Sequence, residues 1–368
     1  MRTHDGEFGK NAFADFASVG YKMRTTKEIL GKIHAGWNLG NSFDCFRMDY
    51  SGNGSGETEW GNPIVTDELL DAVRNKGFDM IRIPTTWHER YNSADGWNVD
   101  PAFFARVQSI VDSAIKKGFI VILNVHHDNS WLFRNDAKDP ELLREYTNLW
   151  RQIAERFRDY PDTLFFEALN EPRIENTPLE WKGETAAVRD KINFLQDGFF
   201  HAVRESGGNN VLRTLLVTTP GATITEPGLK DLMIPGEGKD ENVGVSLHIY
   251  QPQDFCLEVK GNRINEKWDG SQNEEIRGLF RLVEKYLASK QIPAVLTEYG
   301  ATDKGNDKEV AAWVRTIHEE AYRLGISCVW WDNGTREGRE DSFCVIDRKN
   351  LSWQRPETVR EILNCDTL

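Results

Sequence analysis

The sequence lacks several features that would assign it to a large class of proteins. No apolar run approaches the ~20 residues that a membrane-spanning helix requires, and the first residues, MRTHDGEFGK, lack the apolar core of a signal peptide. The five cysteines are scattered and include no Cys-x-x-Cys pair, so neither a zinc site nor a disulfide framework is indicated. No Gly-x-Gly-x-x-Gly motif follows an apolar run, which argues against a dinucleotide-binding fold.

Basic residues are also fewer than acidic ones, with 45 Lys and Arg against 58 Asp and Glu. The net charge is −13, and no cluster of Lys and Arg is visible. Because binding to a phosphate backbone requires a basic face, nucleic acid is not an expected partner, and a neutral or cationic substrate fits better. Trp, in contrast, is abundant, with 12 residues. An indole ring is a good platform for the apolar face of a sugar, although its commonest role is core packing.

Apolar runs alternate with segments of helical pattern along the 368 residues. Helix starts and stops are marked, for example by Thr66 and Gly77 around one helix and by Asp100-Pro101 and Gly118 around the next. Continuously apolar strands that alternate with helices predict a parallel sheet covered on both faces. The eight predicted strands lie within residues 33–41, 78–84, 119–128, 164–172, 212–221, 243–250, 294–300 and 326–334.

Eight such units in a chain of this length favour a closed barrel over an open sheet. No linker or low-complexity tract indicates a second domain. We therefore expect an α/β protein with a single (β/α)₈ TIM barrel over residues 26–368, preceded by an N-terminal extension over residues 1–25.

Two of the apolar runs end in a glutamate. The fourth, LFFEALNEP, delivers Glu171, and the seventh, AVLTEYG, delivers Glu298. A Glu just after a strand is usually a solvated loop residue, but two carboxylates at the mouths of two strands form a pair that is suited to acid/base chemistry. Active sites of such barrels lie at the C-terminal strand ends. Polar or aromatic residues occur there on strand after strand: Asn38, Arg82, His126 and His127, Asn170, His248 and Tyr250, Trp330 and Trp331.

These strand ends carry a series of motifs that resembles a known family. In chain order they read GWNLGNSFD, RIPTTW, NVHHD, NEP, HIY, TEYG and WWDNG, and the series is similar to that of glycoside hydrolase family 5, the cellulase family. The segment WGNP and the forms HHD and WWDNG resemble the subfamily of endoglucanases often active also on xyloglucan or mixed-linkage glucan. The resemblance implies a retaining endo-β-1,4-glucanase without metal or organic cofactor, with Glu171 as acid/base and Glu298 as nucleophile.

The chemistry of retaining glycosidases agrees with that assignment, since it requires two carboxyl groups ~5–5.5 Å apart. Arg82 and Tyr250 are expected to hold Glu298 ionised and oriented, because charge-assisted hydrogen bonds favour the carboxylate. Asn170 resembles the family residue that binds the sugar 2-OH. The remaining polar residues are expected to support the site or to position groups around the sugar: Asn38, His126, His127 and His248.

Aromatic residues are expected to line the cleft. Alternation along a strand lets only one ring of the Trp pair face the barrel mouth. Trp331, which resembles the family Trp, is the predicted platform, and Trp330 would pack outward. Three loop residues would line outer subsites or, equally well, anchor their loops by buried indoles: Trp60, Trp131 and Trp181.

Other hypotheses remain open from the sequence. The same machinery would suit xyloglucan, mixed-linkage β-glucan or mannan, and a non-catalytic glycan-binding barrel would also need an aromatic cleft. The run His126-His127-Asp128 suggests a metal-dependent hydrolase. We disfavour it because neighbouring strand residues point to opposite faces. The expected partner is a polysaccharide, not a membrane. The expected enzyme is a monomer, extracellular with its leader removed, and either stands alone or is one module of a larger protein.

Overall fold

A computed structural model gives the architecture of the chain. It describes four segments of the 368 residues, namely 23–46, 56–92, 96–334 and 341–364. Of the predicted N-terminal extension only Met23, Arg24 and Thr25 are among them, so that prediction lies almost wholly outside the described residues.

Eight parallel strands form a closed barrel in which each strand pairs with its neighbours in the chain and the last pairs with the first. This confirms the predicted (β/α)₈ fold. The strands are shorter than the apolar runs, because the last residues of each run belong to the following loop. They are β1 (Gly36–Asn38), β2 (Met80–Ile83), β3 (Ile120–Asn124), β4 (Leu164–Glu167), β5 (Leu215–Thr218), β6 (Val243–Ile249), β7 (Ala294–Tyr299) and β8 (Ser327–Trp330).

Helices follow the strands around the outside of the barrel. Predicted N-caps are confirmed by hydrogen bonds, as the Thr66 hydroxyl accepts from Leu69 N at 3.3 Å and the Asp100 carboxylate accepts from Phe103 N at 2.7 Å. The helices are α1 (Thr26–Leu30), α2 (Asp67–Lys76), α3 (Pro101–Lys116), α4 (Asn129–Leu132), α5 (Pro140–Arg156), α6 (Ala186–Glu205), α7 (Glu226–Asp231), α8 (Gln253–Cys256), α9 (Asn273–Tyr286), α10 (Asp307–Arg323) and α11 (Pro356–Leu363).

Shorter elements decorate the loops. Two hairpins pair Tyr91–Asn92 with Asn98–Val99 and Ile346–Asp347 with Ser352–Trp353. In the described part of the chain, no helix is both long and apolar enough to cross a membrane, and the four cysteines there are buried. Single 3₁₀ turns occur at His88–Arg90, Gly208–Val211, Pro220–Ala222, Gly236–Gly238 and Ala288–Lys290.

The N-terminal end of the barrel is closed by apolar packing. Ile29, Leu30 and Ile33, from α1 and the segment after it, form one buried cluster with inward side chains of the strands. Burial of this apolar surface closes one end of the barrel and leaves the opposite end for polar residues. The inward side chains are Met80, Ile122, Phe165, Leu216, Val295 and Val329.

A β-bulge interrupts β7. In the pairing with β6, Leu247 lies opposite Leu296 but His248 lies opposite Glu298, so Thr297 is the extra residue. The pairing with β8 shifts at the same place. Strict alternation would put Glu298 on the helix side, together with Leu296. The extra residue turns Glu298 into the barrel, as bulges next to active sites commonly do.

Candidate active site

Arg82 is the centre of the polar cluster at the C-terminal end of the barrel. Its fully buried guanidinium donates to Glu167 at 2.7 Å, to Glu298 at 2.6 Å, to the Asn38 amide oxygen at 3.0 Å and to the Asn170 amide oxygen at 2.7 Å. Burial opposes its charge, but Glu167 and Glu298 outweigh burial and raise the pKa of Arg82. One cation therefore fixes side chains from β1, β4, β7 and the loop after β4.

Glu167 was missed by the interpretation of the sequence. It is the last residue of β4, is fully buried, and accepts a further hydrogen bond from the Ser246 hydroxyl. A signal was available, because alternation from the inward Phe165 places Glu167 inside the barrel as well. Glu167 binds Nε of Arg82, whereas Glu298 binds Nη1. Glu167 therefore orients the guanidinium toward Glu298.

The predicted nucleophile, Glu298, is held at both oxygens. Arg82 binds Oε1 at 2.6 Å, and the Tyr250 hydroxyl donates to Oε2 at 2.7 Å. Burial and the nearby Glu298 charge raise the pKa of Tyr250 well above its ordinary value, so this hydroxyl remains a donor. His248 Nδ1 lies 3.6 Å from Oε2. The contacts expected of Arg82 and Tyr250 are thus present.

The predicted acid/base, Glu171, lies in the loop after β4, and each of its carboxylate oxygens contacts a different side chain. Oε1 is 2.9 Å from His248 Nδ1, and Oε2 is 3.3 Å from Arg173 Nη1. Burial alone would raise the pKa of Glu171, but the hydrogen bond from His248 and the charge of Arg173 lower it. Oxygens of Glu171 and Glu298 lie within 4.8 Å of each other. That spacing is compatible with a retaining pair and too short for an inverting one.

His126 and His127 do not point to opposite faces, so that prediction is wrong. Strand β3 ends at Asn124, so alternation no longer applies, and the two imidazole rings are 4.4 Å apart. Each also lies within 4.8 Å of Asp44, measured between possible ligand atoms. Asp128, the third member of the predicted motif, is not in this group and instead accepts hydrogen bonds from backbone amides.

The two strand-end tryptophans take the predicted sides. Trp331 lines the cleft, and its ring is stacked on that of His126 with centroids 5.9 Å apart and an interplanar angle of 4°. Trp330 is fully buried and donates from Nε1 to the carbonyl of Phe343 at 3.0 Å. Trp331 therefore lies where the predicted sugar platform would be, and Trp330 belongs to the core.

The three loop tryptophans divide between the two predicted roles. Trp131 is 9% exposed and donates to Asp128 at 2.7 Å, so it anchors its loop and does not line a subsite. Trp181 is 49% exposed and lines the cleft. Trp60 is intermediate in exposure. Its ring lies 5.6 Å from that of His127, at the edge of the cleft.

The cleft over these residues has a volume of about 380 Å³. Apolar rings and a few converging polar groups make a surface that suits a sugar, whose ring has apolar faces and a polar rim. A barrel whose strand ends present paired carboxylates beside aromatic platforms defines a glycoside hydrolase. The wall includes His126, His127, Asn170, Glu171, Trp181, His248, Tyr250, Glu298, Trp331 and Phe343.

Comparisons with known proteins agree with this class. The model of the cellulase family, glycosyl hydrolase family 5, matches residues 41–337. A relative, endoglucanase A of Ruminococcus albus, is 38% identical over 356 residues, which cover 96% of either chain. The chain spans 64% and 40% of the length of two further curated relatives. The protein belongs to glycosyl hydrolase family 5 and is a glycoside hydrolase.

Two solved structures show the same fold with sugar bound. A broad specificity endoglucanase from Ruminococcus champanellensis with cellotriose has a TM-score of 0.89 and 31% identity, covering 94% of this chain and 100% of that one. A xyloglucan-specific endo-β-1,4-glucanase of family 5 from a metagenomic library, in complex with cellotriose, has a TM-score of 0.85 and 36% identity, covering 92% of this chain and 98% of that one.

Proposed function

We propose that this chain is an endo-β-1,4-glucanase that cleaves internal β-glucosidic bonds with retention of configuration. The observation that carries the proposal is the approach of Glu171 and Glu298 to within 4.8 Å at the floor of an aromatic cleft. The names of the similar endoglucanases support the substrate class. A non-catalytic glycan-binding barrel would have no need of both carboxylates.

In the first step, Glu298 attacks the anomeric carbon, and the bond from that carbon to the leaving oxygen breaks. Glu171 gives its proton to this oxygen, so the aglycone departs as an alcohol and a covalent glycosyl-enzyme remains. In the second step, Glu171 takes a proton from water, the water oxygen bonds to the anomeric carbon, and Glu298 is released. Two inversions at one carbon give net retention.

Neighbouring amides have separate tasks in this proposal. The Asn170 oxygen is occupied by Arg82, so the amide nitrogen is the end left to donate to the sugar 2-OH, where hydrogen bonds strengthen in the transition state. Asn38 is fully buried and donates to the carbonyl of Thr297 at 2.9 Å. Asn38 therefore supports Arg82 and the β7 bulge and does not contact substrate.

Retention is tested by proton NMR of the first product formed from cellopentaose. We expect the new reducing end to be the β-anomer, with the α-anomer appearing later by mutarotation. A retaining mechanism gives this order because each of the two displacements inverts the anomeric carbon. An α-anomer that appears first would contradict the pairing of Glu171 with Glu298 as acid/base and nucleophile.

The substrate range is tested by initial rates on carboxymethyl cellulose, xyloglucan, lichenan, mannan and xylan. We expect hydrolysis of the β-1,4-glucan backbones, including those of xyloglucan and mixed-linkage glucan. Because cleavage is internal, the viscosity of the solution should fall steeply for each reducing end released. EDTA in parallel assays is the control for the metal-dependent alternative, and we expect no loss of rate. A preference for mannan, or a loss restored by Zn²⁺, would contradict the proposal.

The place of action follows from the substrate. Polymeric glucan is too large to enter a cell, so we propose an extracellular enzyme that works as a monomer, alone or as one module of a longer protein. Size-exclusion chromatography with light scattering tests the monomer, for which the expected mass is that of one 42.2 kDa chain.

A further inference from the structure

Arg173 lies two residues beyond Glu171 and bonds to it twice. Its Nη1 donates to the Glu171 carbonyl at 2.9 Å and to Oε2 at 3.3 Å. On the other side, Nε donates to Glu180 at 2.9 Å, and the guanidinium carbon sits 4.3 Å from the centroid of the Trp181 ring. The Arg173 side chain is 17% exposed, so water screens these contacts only in part. The guanidinium is fixed from three directions.

Other charged and titratable groups also face this pair. His248 contacts Glu171 Oε1, while His127, Glu298 and Tyr250 stand across the cleft. Arg173 itself is shared among three carboxylates, since Glu175 lies 3.9 Å from Nη2 in addition to Glu171 and Glu180; Glu184 adds a weaker electrostatic contact. Within this group, Arg173 is the cation that touches Oε2.

Oε2 has a particular task in the proposed reaction. Because His248 occupies Oε1, Oε2 is the oxygen left to carry the proton to the leaving group. At 3.3 Å the Arg173 contact is longer than an ordinary N–H···O hydrogen bond, which leaves room for that proton. A cation beside Oε2 opposes the protonated state that the first step needs and favours the ionised state that the second step needs.

We propose that Arg173 is a positioning residue that sets the pH at which Glu171 stops acting as an acid, and that Glu180 moderates it by sharing the guanidinium charge. This inference rests on the acid/base role proposed for Glu171. Arg173 does not touch substrate in the proposal, and it acts through the carboxylate.

Loss of Arg173 and loss of the Glu180 charge are expected to shift the pH profile in opposite directions. Arg173 lowers the pKa of Glu171, so Arg173→Ala is expected to raise it and to move the alkaline limb of kcat/KM to higher pH. Arg173→Lys keeps the charge without the planar fork and is expected to move the limb less. Glu180→Gln removes a negative charge and frees the guanidinium for Glu171, so its limb is expected to move to lower pH.

The experiment measures kcat/KM against pH on cellopentaose for these three variants. Arg189→Ala is the matched control, because Arg189 donates to the carbonyls of Gly183 and Glu184, and so anchors the same loop, but has no contact with Glu171. A structural loss in this loop lowers the rate at all pH values, and we expect the control to leave the alkaline limb in place.

The inference is overturned if Arg173→Ala lowers the rate without moving the alkaline limb, or if Glu180→Gln moves it in the same direction as Arg173→Ala. Glu171→Ala in the same series separates the two proposals. If that variant keeps the wild-type rate on cellopentaose, the acid/base assignment itself fails. If it loses the rate while Arg173→Ala leaves the limb unmoved, only the role of Arg173 fails.

Discussion

Replacement of Glu298 by alanine is expected to lower the rate of glucan hydrolysis by roughly 10⁴-fold or more. Without this carboxylate the glycosyl-enzyme cannot form, so the variant loses the stabilisation of the transition state that leads to it. Initial rates of reducing-end release from carboxymethyl cellulose measure the effect. A rate near that of the wild type would show that the nucleophile has been wrongly assigned.

Chemical rescue provides a control for this variant. We expect azide to enter the space that the carboxylate leaves in Glu298→Ala and to attack the anomeric carbon of an activated aryl cellobioside in a single inversion. The expected product is therefore the α-glycosyl azide. Thermal melting of the same variant shows whether removal of a carboxylate bound to both Arg82 and Tyr250 has disturbed the fold.

Replacement of Glu171 by alanine is expected to cost roughly 10²–10⁴-fold on unactivated cello-oligosaccharides, the range for loss of a positioned general acid. The loss should be much smaller on an aryl glycoside whose leaving group departs without a proton. Paired measurements of kcat/KM on the two substrates reveal the difference. Equal losses on both would argue against proton donation by Glu171.

Azide distinguishes the two glutamates. In Glu171→Ala the nucleophile is intact, so azide attacks the glycosyl-enzyme after a first inversion, and the expected product is the β-glycosyl azide. The two alanine variants should thus yield opposite anomers from one substrate. The same anomer from both variants would mean that the roles of acid/base and nucleophile are not divided as proposed.

The barrel was predictable because its signals are local. Buried parallel strands read as continuous apolar runs, and helix boundaries carry caps such as Thr66, so both the number and the order of the elements follow from short windows of sequence. The N-cap hydrogen bond of Thr66 confirms such a boundary. Strand ends were placed too far along the chain, because buried apolar residues such as Val125 continue past the last residue of the strand.

The site was harder to predict where it depends on three-dimensional arrangement. Strand alternation rejected the grouping of His126 with His127, although both lie in a loop where alternation does not hold. Trp131 and Trp181 are equivalent in the sequence, and only the surroundings show that one is an anchor and the other a cleft wall. Arg173 carries no motif signal, since its importance depends on which oxygen of Glu171 it faces.

Because of the β7 bulge, the direction of the Glu298 side chain depends on one extra residue in the strand. Thr297 and Glu298 both face the interior, while Leu296 and Tyr299 on either side pack among the helices. A tetrapeptide TEYG transplanted into a regular strand of another barrel would present its glutamate to the helices and its tyrosine to the cleft. Engineers who move this active site between scaffolds therefore have to move the irregular backbone with it, because the four letters alone do not encode the direction of the side chain.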